Sequence, residues 1–319
     1  FLEGGVQTKS SMIIFSIAYF AITFFLALNP TKLVDRIGKI LTPLLLITII
    51  LLIARAFFML DTPIVEVDKQ YQNAPFFVGF AEGYQTMDTI AAVAFSIIVL
   101  NAVKATGLSS QKEIFKQASI AAIIAGIGLG LVYISLGWIG NHYTLSAQEA
   151  AGGNLGTSIL TGVARLTYGE PGRLLLSLIV TLACLTTAIG LIVAVSSYFT
   201  EIFPKISYRV FAVIFTLISF ILASQGLNKI IGGAVPVLPI IYPITIVLIL
   251  LIFMDKFLNG VPNLALQLPI YSTIIISALT VFKSDLISFL PLQSSDMGWM
   301  IPAVVLFVVG LLLVKKREA

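Results

Sequence analysis

Residues 76–100 read FFVGFAEGYQTMDTIAAVAFSIIVL, a run long enough to cross a bilayer but polar in its first half. A transmembrane helix needs about 20 consecutive apolar residues, and a charged side chain at its centre costs at least ~2.5–3.5 kcal/mol. Gly79 and Gly83 further lower the helix propensity of this half. Four polar side chains would each require a partner in lipid: Glu82, Gln85, Thr86 and Asp88.

The run therefore predicts a broken helix, interrupted at residues 81–88. We expect the first half to end near Ala81, the backbone to unwind through residues 82–85, and Thr86 or Asp88 to cap the second half. Unwound backbone at membrane depth is found where it lines a cavity or is buried in protein. Its carbonyls and helix ends can bind ions or charged ligand groups. The alternative is that the acidic residues lie near the outer interface and are solvated or capping.

The composition indicates an integral membrane protein. Of 319 residues, 58% are hydrophobic and 11% charged, and the mean hydropathy is +1.05. Soluble domains carry roughly 25% charged residues, so the lipid bilayer is expected to cover the surface of this chain. The net charge of +4 is expected to set membrane orientation and not to bind nucleic acid. One cysteine and one histidine exclude a Cys- or His-based metal site.

Apolar runs recur along the whole chain and predict an all-α protein of about nine transmembrane helices in one domain, residues 1–319. The stretch 145–169 is only patchily apolar, and we expect a surface or re-entrant helical loop there. The nine runs are Ser11–Leu28, Ile40–Leu60, Phe76–Leu100, Ser119–Ile139, Leu174–Phe199, Tyr208–Ala223, Ile230–Met254, Leu264–Phe282 and Gly298–Val314.

The distribution of positive charge predicts the orientation of the chain. With the segment after the first run in the cytoplasm, cytoplasmic segments hold twelve Lys and Arg residues and the other side holds seven. Cytoplasmic loops carry an excess of Lys and Arg. We therefore expect a multi-pass protein of the cell membrane with the N-terminus of this chain outside and the C-terminus in the cytoplasm.

A second candidate site lies in the fifth run, where residues 183–190 read ACLTTAIG. The adjacent hydroxyls of Thr186 and Thr187 offer oxygen ligands to a small hard cation. The alternative is that each hydroxyl donates to the backbone of the preceding turn, as membrane threonines often do.

At these residues the sequence resembles a known family, the branched-chain amino acid:cation symporters, also called system II or BrnQ-type carriers. The stretch GFAEGYQTMDTIAA at residues 79–92 looks like the most distinctive stretch of that family, and residues 183–191 and 207–209 are similar to its pattern. The resemblance implies the inverted-repeat fold of LeuT type. It also implies that this chain corresponds to the fourth through twelfth helices, with about the first three not represented.

The resemblance further implies a substrate, a coupling ion and site residues. The substrate would be leucine, isoleucine or valine, taken up with Na⁺ or H⁺ and without a cofactor. The sodium ligands, carried over by position, would be the carbonyl of Ala183 and the hydroxyls of Thr186 and Thr187. The expected substrate site comprises Phe80, Ala81, Glu82, Gly83, Tyr84, Gln85, Thr86 and Asp88, with Phe80 and Tyr84 lining an apolar pocket and carbonyls near Ala81 and Glu82 holding the ammonium group.

Other functions remain open at this point. A carrier of the same fold for another solute, such as a nucleobase, would share these features. A membrane-embedded enzyme is disfavoured, because the runs contain no Asp-rich metal motif, His cluster or Ser/His/Asp set. A channel is disfavoured because one acidic pair at one break is typical of a binding site and not of a ring that lines a pore.

Overall fold

Helices make up the regular structure of the part of the chain that the structure describes. The computed structural model describes residues 9–28, 33–61, 69–72, 74–146, 154–283 and 285–313. The α-helices are α1 (Lys9–Ala27), α2 (Leu33–Met59), α3 (Pro75–Glu82), α4 (Asp88–Lys104), α5 (Gln111–His142), α6 (Leu155–Ile202), α7 (Tyr208–Ala223), α8 (Leu227–Ala234), α9 (Leu238–Phe257), α10 (Asn263–Val281) and α11 (Met300–Leu313). Short 3₁₀ turns span Lys69–Tyr71, Gly83–Thr86, Asp285–Ile287 and Gln293–Ser295.

The lengths and composition of these helices suit a bilayer. In the described part of the chain, five helices are long and apolar enough to cross a membrane, and up to seven spans result if each of two bent pairs counts as one. The shorter apolar helices Ile13–Ala27 and Met300–Leu313 occupy the first and last predicted runs. Large apolar side chains are exposed along most helices, as lipid contact requires. The all-helical membrane architecture predicted from composition is therefore confirmed.

The chain divides into two compact units. The first comprises Phe1–Val65 and Ala94–Ile230, and the second comprises Glu66–Val93 and Ile231–Ala319. In the first unit, α1 packs on α6 and α7, and α2 packs on α5 and α6. The Tyr208 hydroxyl of α7 donates to the Ala27 carbonyl of α1 at 2.7 Å and ties these helices together.

The second unit has a tightly packed core. Helix α10 lies between α9 and α11, and it approaches α11 so closely that a Cβ atom on Gly310 would collide with Ala265. Small residues at helix contacts permit such close approach in membranes. The buried residues Leu238, Tyr242 and Trp299 of this core also surround Tyr84, which brings the α3–α4 break into the same unit.

Of two further sequence-based expectations, one agrees with the structure in its helical character and the other is wrong in detail. Residues 155–168, part of the stretch 145–169 expected to be a surface or re-entrant helical loop, are helical and bury Val163 and Ala164, whereas residues 147–153 lie outside the described part. This helix continues into the fifth run through a kink at Gly169 (φ 68°, ψ −155°), a backbone conformation essentially restricted to glycine. The seventh run is two helices, because a turn at residues 235–237 separates α8 from α9.

Candidate functional site

The predicted break in the third run is confirmed. Helix α3 ends at Glu82, a 3₁₀ turn covers Gly83–Thr86, and α4 begins at Asp88, with a bend of 46° between the two parts. Met87 joins them in the left-handed conformation (φ 60°, ψ 12°), which non-glycine residues seldom adopt. The first helix thus extends one residue beyond the expected Ala81, and the second starts two residues after the expected Thr86.

Polar side chains at the break bond mainly to one another and to nearby backbone. Gln85 Nε2 donates to Glu82 Oε2 at 2.6 Å on the exposed side of the turn. The Thr86 hydroxyl donates backwards to the Gly83 carbonyl at 2.8 Å. Of the two residues expected to cap α4, Thr86 or Asp88, Thr86 therefore does not cap it. Asp88 occupies the first turn of α4, where a carboxylate interacts favourably with the positive end of the helix dipole.

Tyr84 is the buried residue of the break. Its side chain is 4% exposed, and its hydroxyl donates to Met297 Sδ at 3.2 Å. Its ring lies 4.9 Å from that of Tyr242 and 5.8 Å from that of Phe80. Of the other predicted substrate-site residues, Ala81 and Asp88 are half-buried, and those exposed are Phe80, Glu82, Gly83, Gln85 and Thr86. The break therefore presents a polar, accessible side and an aromatic, buried side.

Three residues on the buried side are absent from the sequence-based site. Tyr242, Met297 and Trp299 come from α9 and from the segment before α11, and all three are nearly inaccessible. The Tyr242 hydroxyl makes no hydrogen bond within the described residues, although it faces the backbone of Thr89 and Ile90. A tyrosine among prolines in an apolar run was the available signal for Tyr242, but sequence spacing alone does not connect it to residue 84.

The segment next to Tyr84 also carries charge. Partial burial raises the pKa of the Asp296 carboxyl, and the positive charge of Lys283 opposes that rise. Both residues lie between α10 and α11 in left-handed conformations, with φ of 57° and 50°. An acidic group thus stands next in sequence to Met297, the residue that accepts the Tyr84 hydrogen bond.

The second predicted site lies in the first unit, on α6. The hydroxyls of Thr186 and Thr187 both donate to the Ala183 carbonyl, at 2.9 and 3.0 Å. The three predicted sodium ligands therefore do lie together, but the hydroxyls have the back-bonded arrangement that was the alternative. Each hydroxyl oxygen keeps lone pairs that can accept a cation. The hydrogens would have to rotate away before the carbonyl could join them as a ligand.

The neighbourhood of this threonine pair is tightly packed on one side. A Cβ atom on Gly190, one turn beyond Thr186, would lie 2.5 Å from Cε1 of Phe95 on α4. Among the described residues, no group of three or more His, Cys, Asp or Glu side chains is placed to hold a metal ion. The oxygens that converge at residues 183–187 belong to a neutral carbonyl and to hydroxyls, a ligand type that hard cations accept.

Apolar helices, one of them broken at a polar stretch, define a multi-pass membrane protein with a discontinuity of the kind that transporters use. The family model for branched-chain amino acid transport proteins matches residues 1–317. The chain belongs to this family, which confirms the resemblance noted in the sequence. The comparison with solved structures finds no significant match.

Several staphylococcal relatives are similar over nearly the whole chain, and each bears the provisional name of a branched-chain amino acid carrier protein. A relative from Staphylococcus saprophyticus is 46% identical over 329 residues, covering 98% of this chain and 73% of the relative. One from Staphylococcus haemolyticus is 46% identical, covering 97% and 73%. One from Staphylococcus aureus strain USA300 is 43% identical, covering 96% and 72%.

Proposed function

We propose that this protein is a secondary active transporter that imports leucine, isoleucine and valine by symport with Na⁺ or H⁺. The observation that carries the proposal is the break at residues 83–87, which lies within a span of a chain from a branched-chain amino acid transport family. A carrier of this kind binds and moves its solute without chemical change, so no catalytic residue and no cofactor is assigned.

The break has the two surfaces that a branched-chain amino acid requires. A zwitterion needs polar partners, and its side chain needs an apolar pocket. We assign the polar role to backbone near Ala81 and Glu82 and to Gly83, Gln85, Thr86 and Asp88. We assign the apolar role to Phe80 and Tyr84, which are in aromatic contact at 5.8 Å.

The coupling site is proposed at the carbonyl of Ala183 and the hydroxyls of Thr186 and Thr187. Support comes from the positions of the two hydroxyl oxygens, which lie 2.9 and 3.0 Å from the Ala183 carbonyl oxygen. This assignment goes with a LeuT-type inverted-repeat fold, in a single transport domain whose C-terminus faces the cytoplasm. Under that fold, α3 and α4 are the two halves of the sixth helix and α6 contains the eighth.

Counterflow of labelled leucine in proteoliposomes tests the proposal. Vesicles loaded with unlabelled leucine should transiently concentrate the label, and isoleucine and valine should compete while glycine and lysine should not. Replacing external Na⁺ with choline, and separately collapsing the pH gradient, identifies the coupling ion. Counterflow of uracil without counterflow of leucine would show a carrier for another solute. Absence of counterflow for both would contradict a carrier function of this class.

A further inference from the structure

The segment 285–299, between α10 and α11, is a compact and irregular strap. It contains two 3₁₀ turns, and Leu292 has a left-handed backbone with φ of 65°. Gln293 Nε2 donates to the Thr280 hydroxyl at 3.1 Å and fastens the strap to α10. Gly298 lies so close to Gln293 that a Cβ atom there would collide with its side-chain oxygen. The strap is therefore held together internally and anchored at its α10 side.

The side of the strap that is not anchored to α10 lies against the broken helix. The turn Gln293–Ser295 contacts α3, and Met297 and Trp299 pack in the same buried cluster as Tyr84. The Tyr84 hydroxyl donates to Met297 Sδ, and the Trp299 indole faces that hydroxyl at a geometry short of a hydrogen bond. These contacts explain why Tyr84 is buried while its chain neighbours Gly83 and Gln85 are exposed.

Little directional bonding holds the strap to the break. Thioether sulfur is a weak hydrogen-bond acceptor, and the packing of Met297 and Trp299 in the buried cluster is apolar and non-directional. Met297 is 1% exposed, and methionine adapts easily to a changing surface. Met297 and Trp299 cover the buried side of Tyr84 together with Tyr242 of α9. A solute can reach the part of Tyr84 that Met297 and Trp299 cover only if the strap withdraws.

We propose that residues 285–299 form a gate over the broken helix, in which Met297 and Trp299 close on Tyr84 and withdraw to admit the solute. This inference rests on the proposed function, since it takes the break as the substrate site. The gate brings residues 285–299, from the C-terminal part of the chain, into the transport cycle. In the closed state, Met297 fills the space beside Tyr84.

Two adjacent serines of the strap provide a matched pair of reporters. Ser294 is exposed, whereas Ser295 is 7% exposed in the turn that contacts α3. Each is changed to cysteine in a Cys184→Ser background, which removes the one native thiol. The rate of N-ethylmaleimide labelling is then measured on the full chain in proteoliposomes. Both samples contain Na⁺ at the same acidic pH, so that either coupling ion is present, and only one of them contains leucine.

The gate predicts that Ser294→Cys reacts fast under all conditions. Ser295→Cys should react at least about tenfold more slowly at rest, because labelling reports the open population. With these cations present in both samples, leucine should change that rate by about threefold or more. The reason is that a ligand shifts the balance between states that it binds with different affinity. Met297→Ala should accelerate labelling of Ser295→Cys and remove its leucine dependence, whereas Met297→Leu, which keeps the apolar volume, should retain protection.

Equal labelling of the two reporters at rest would show that the strap does not close, and would overturn the proposal. If Ser295→Cys reacts slowly and leucine leaves that rate unchanged, the strap covers the break without opening. This result would also overturn the proposal, whatever the Met297 variants show. Leucine counterflow by the unaltered protein, measured in parallel, separates the two questions. If the unaltered protein shows counterflow but labelling of Ser295→Cys does not depend on leucine, the gate alone is refuted. If the unaltered protein shows no counterflow, the proposed function itself is refuted.

Discussion

Replacing Thr187 with alanine tests the proposed coupling site most directly. In the structure the Thr187 hydroxyl donates to the Ala183 carbonyl at 3.0 Å and is exposed on α6. When a cation binds, the hydroxyl must rotate so that its oxygen faces the ion, and it gives up this hydrogen bond. The substitution therefore removes one ligand from the occupied site and one backbone hydrogen bond from the empty site.

These two losses set the magnitude of the effect. A contact to a charged group is worth about 1.5–3 kcal/mol, and a neutral intramolecular hydrogen bond about 0.5–1.5 kcal/mol. The substitution therefore destabilises the occupied site by about 1–1.5 kcal/mol more than the empty site. This difference corresponds to roughly a tenfold loss of cation affinity at ~1.4 kcal/mol per decade. Thr187→Ala should thus raise the half-saturating cation concentration about tenfold. Leucine affinity at saturating cation should change far less, because the substrate is assigned to the broken helix.

The assay is leucine uptake as a function of Na⁺ concentration and of pH. Thr181→Ala is the matched control, since the Thr181 hydroxyl donates to the Ser177 carbonyl of the same helix at 2.7 Å but has no assigned role. Thr186→Ser keeps the hydroxyl and should have a mild effect. If Thr187→Ala and Thr181→Ala leave cation dependence equally unchanged, the hydroxyl at 187 only bonds to the backbone. Coupling must then be sought at Glu82 or Asp88.

Three further predictions concern packing and orientation. Gly190→Ala places a Cβ atom 2.5 Å from Phe95 Cε1, and overpacking of about 1–3 kcal/mol should lower the melting temperature in detergent. Adding Phe95→Leu should restore the melting temperature. If it does not, the contact between residues 190 and 95 is refuted. Gly169→Ala should also lower it, because φ 68° and ψ −155° strain alanine by about 1–3 kcal/mol; Gly128→Ala, within α5 and with open space at its Cβ, should not. A C-terminal reporter active only outside the cytoplasm should remain silent, and strong activity would reverse the assigned orientation.

The sequence was sufficient to locate the interruption of the third run. Two glycines and four polar residues within ten positions of an apolar stretch cannot form a stable lipid-facing helix, and the structure breaks there. Of the two residues expected to cap the second half, Thr86 does not, because its hydroxyl donates to the preceding turn of its own chain. Thr86 donates to Gly83, and sequence spacing does not distinguish these partners.

Local composition therefore determined the helical class, the membrane setting and the position of the break, since each depends on the cost of placing nearby residues in lipid. The tertiary structure alone decided what lies against the break. Tyr242 and Met297 reach Tyr84 from more than 150 positions along the chain, and their contact depends on how α9, α10 and α11 pack. A single sequence records which side chains prefer burial, but the packing of distant helices selects the partners with which they are buried.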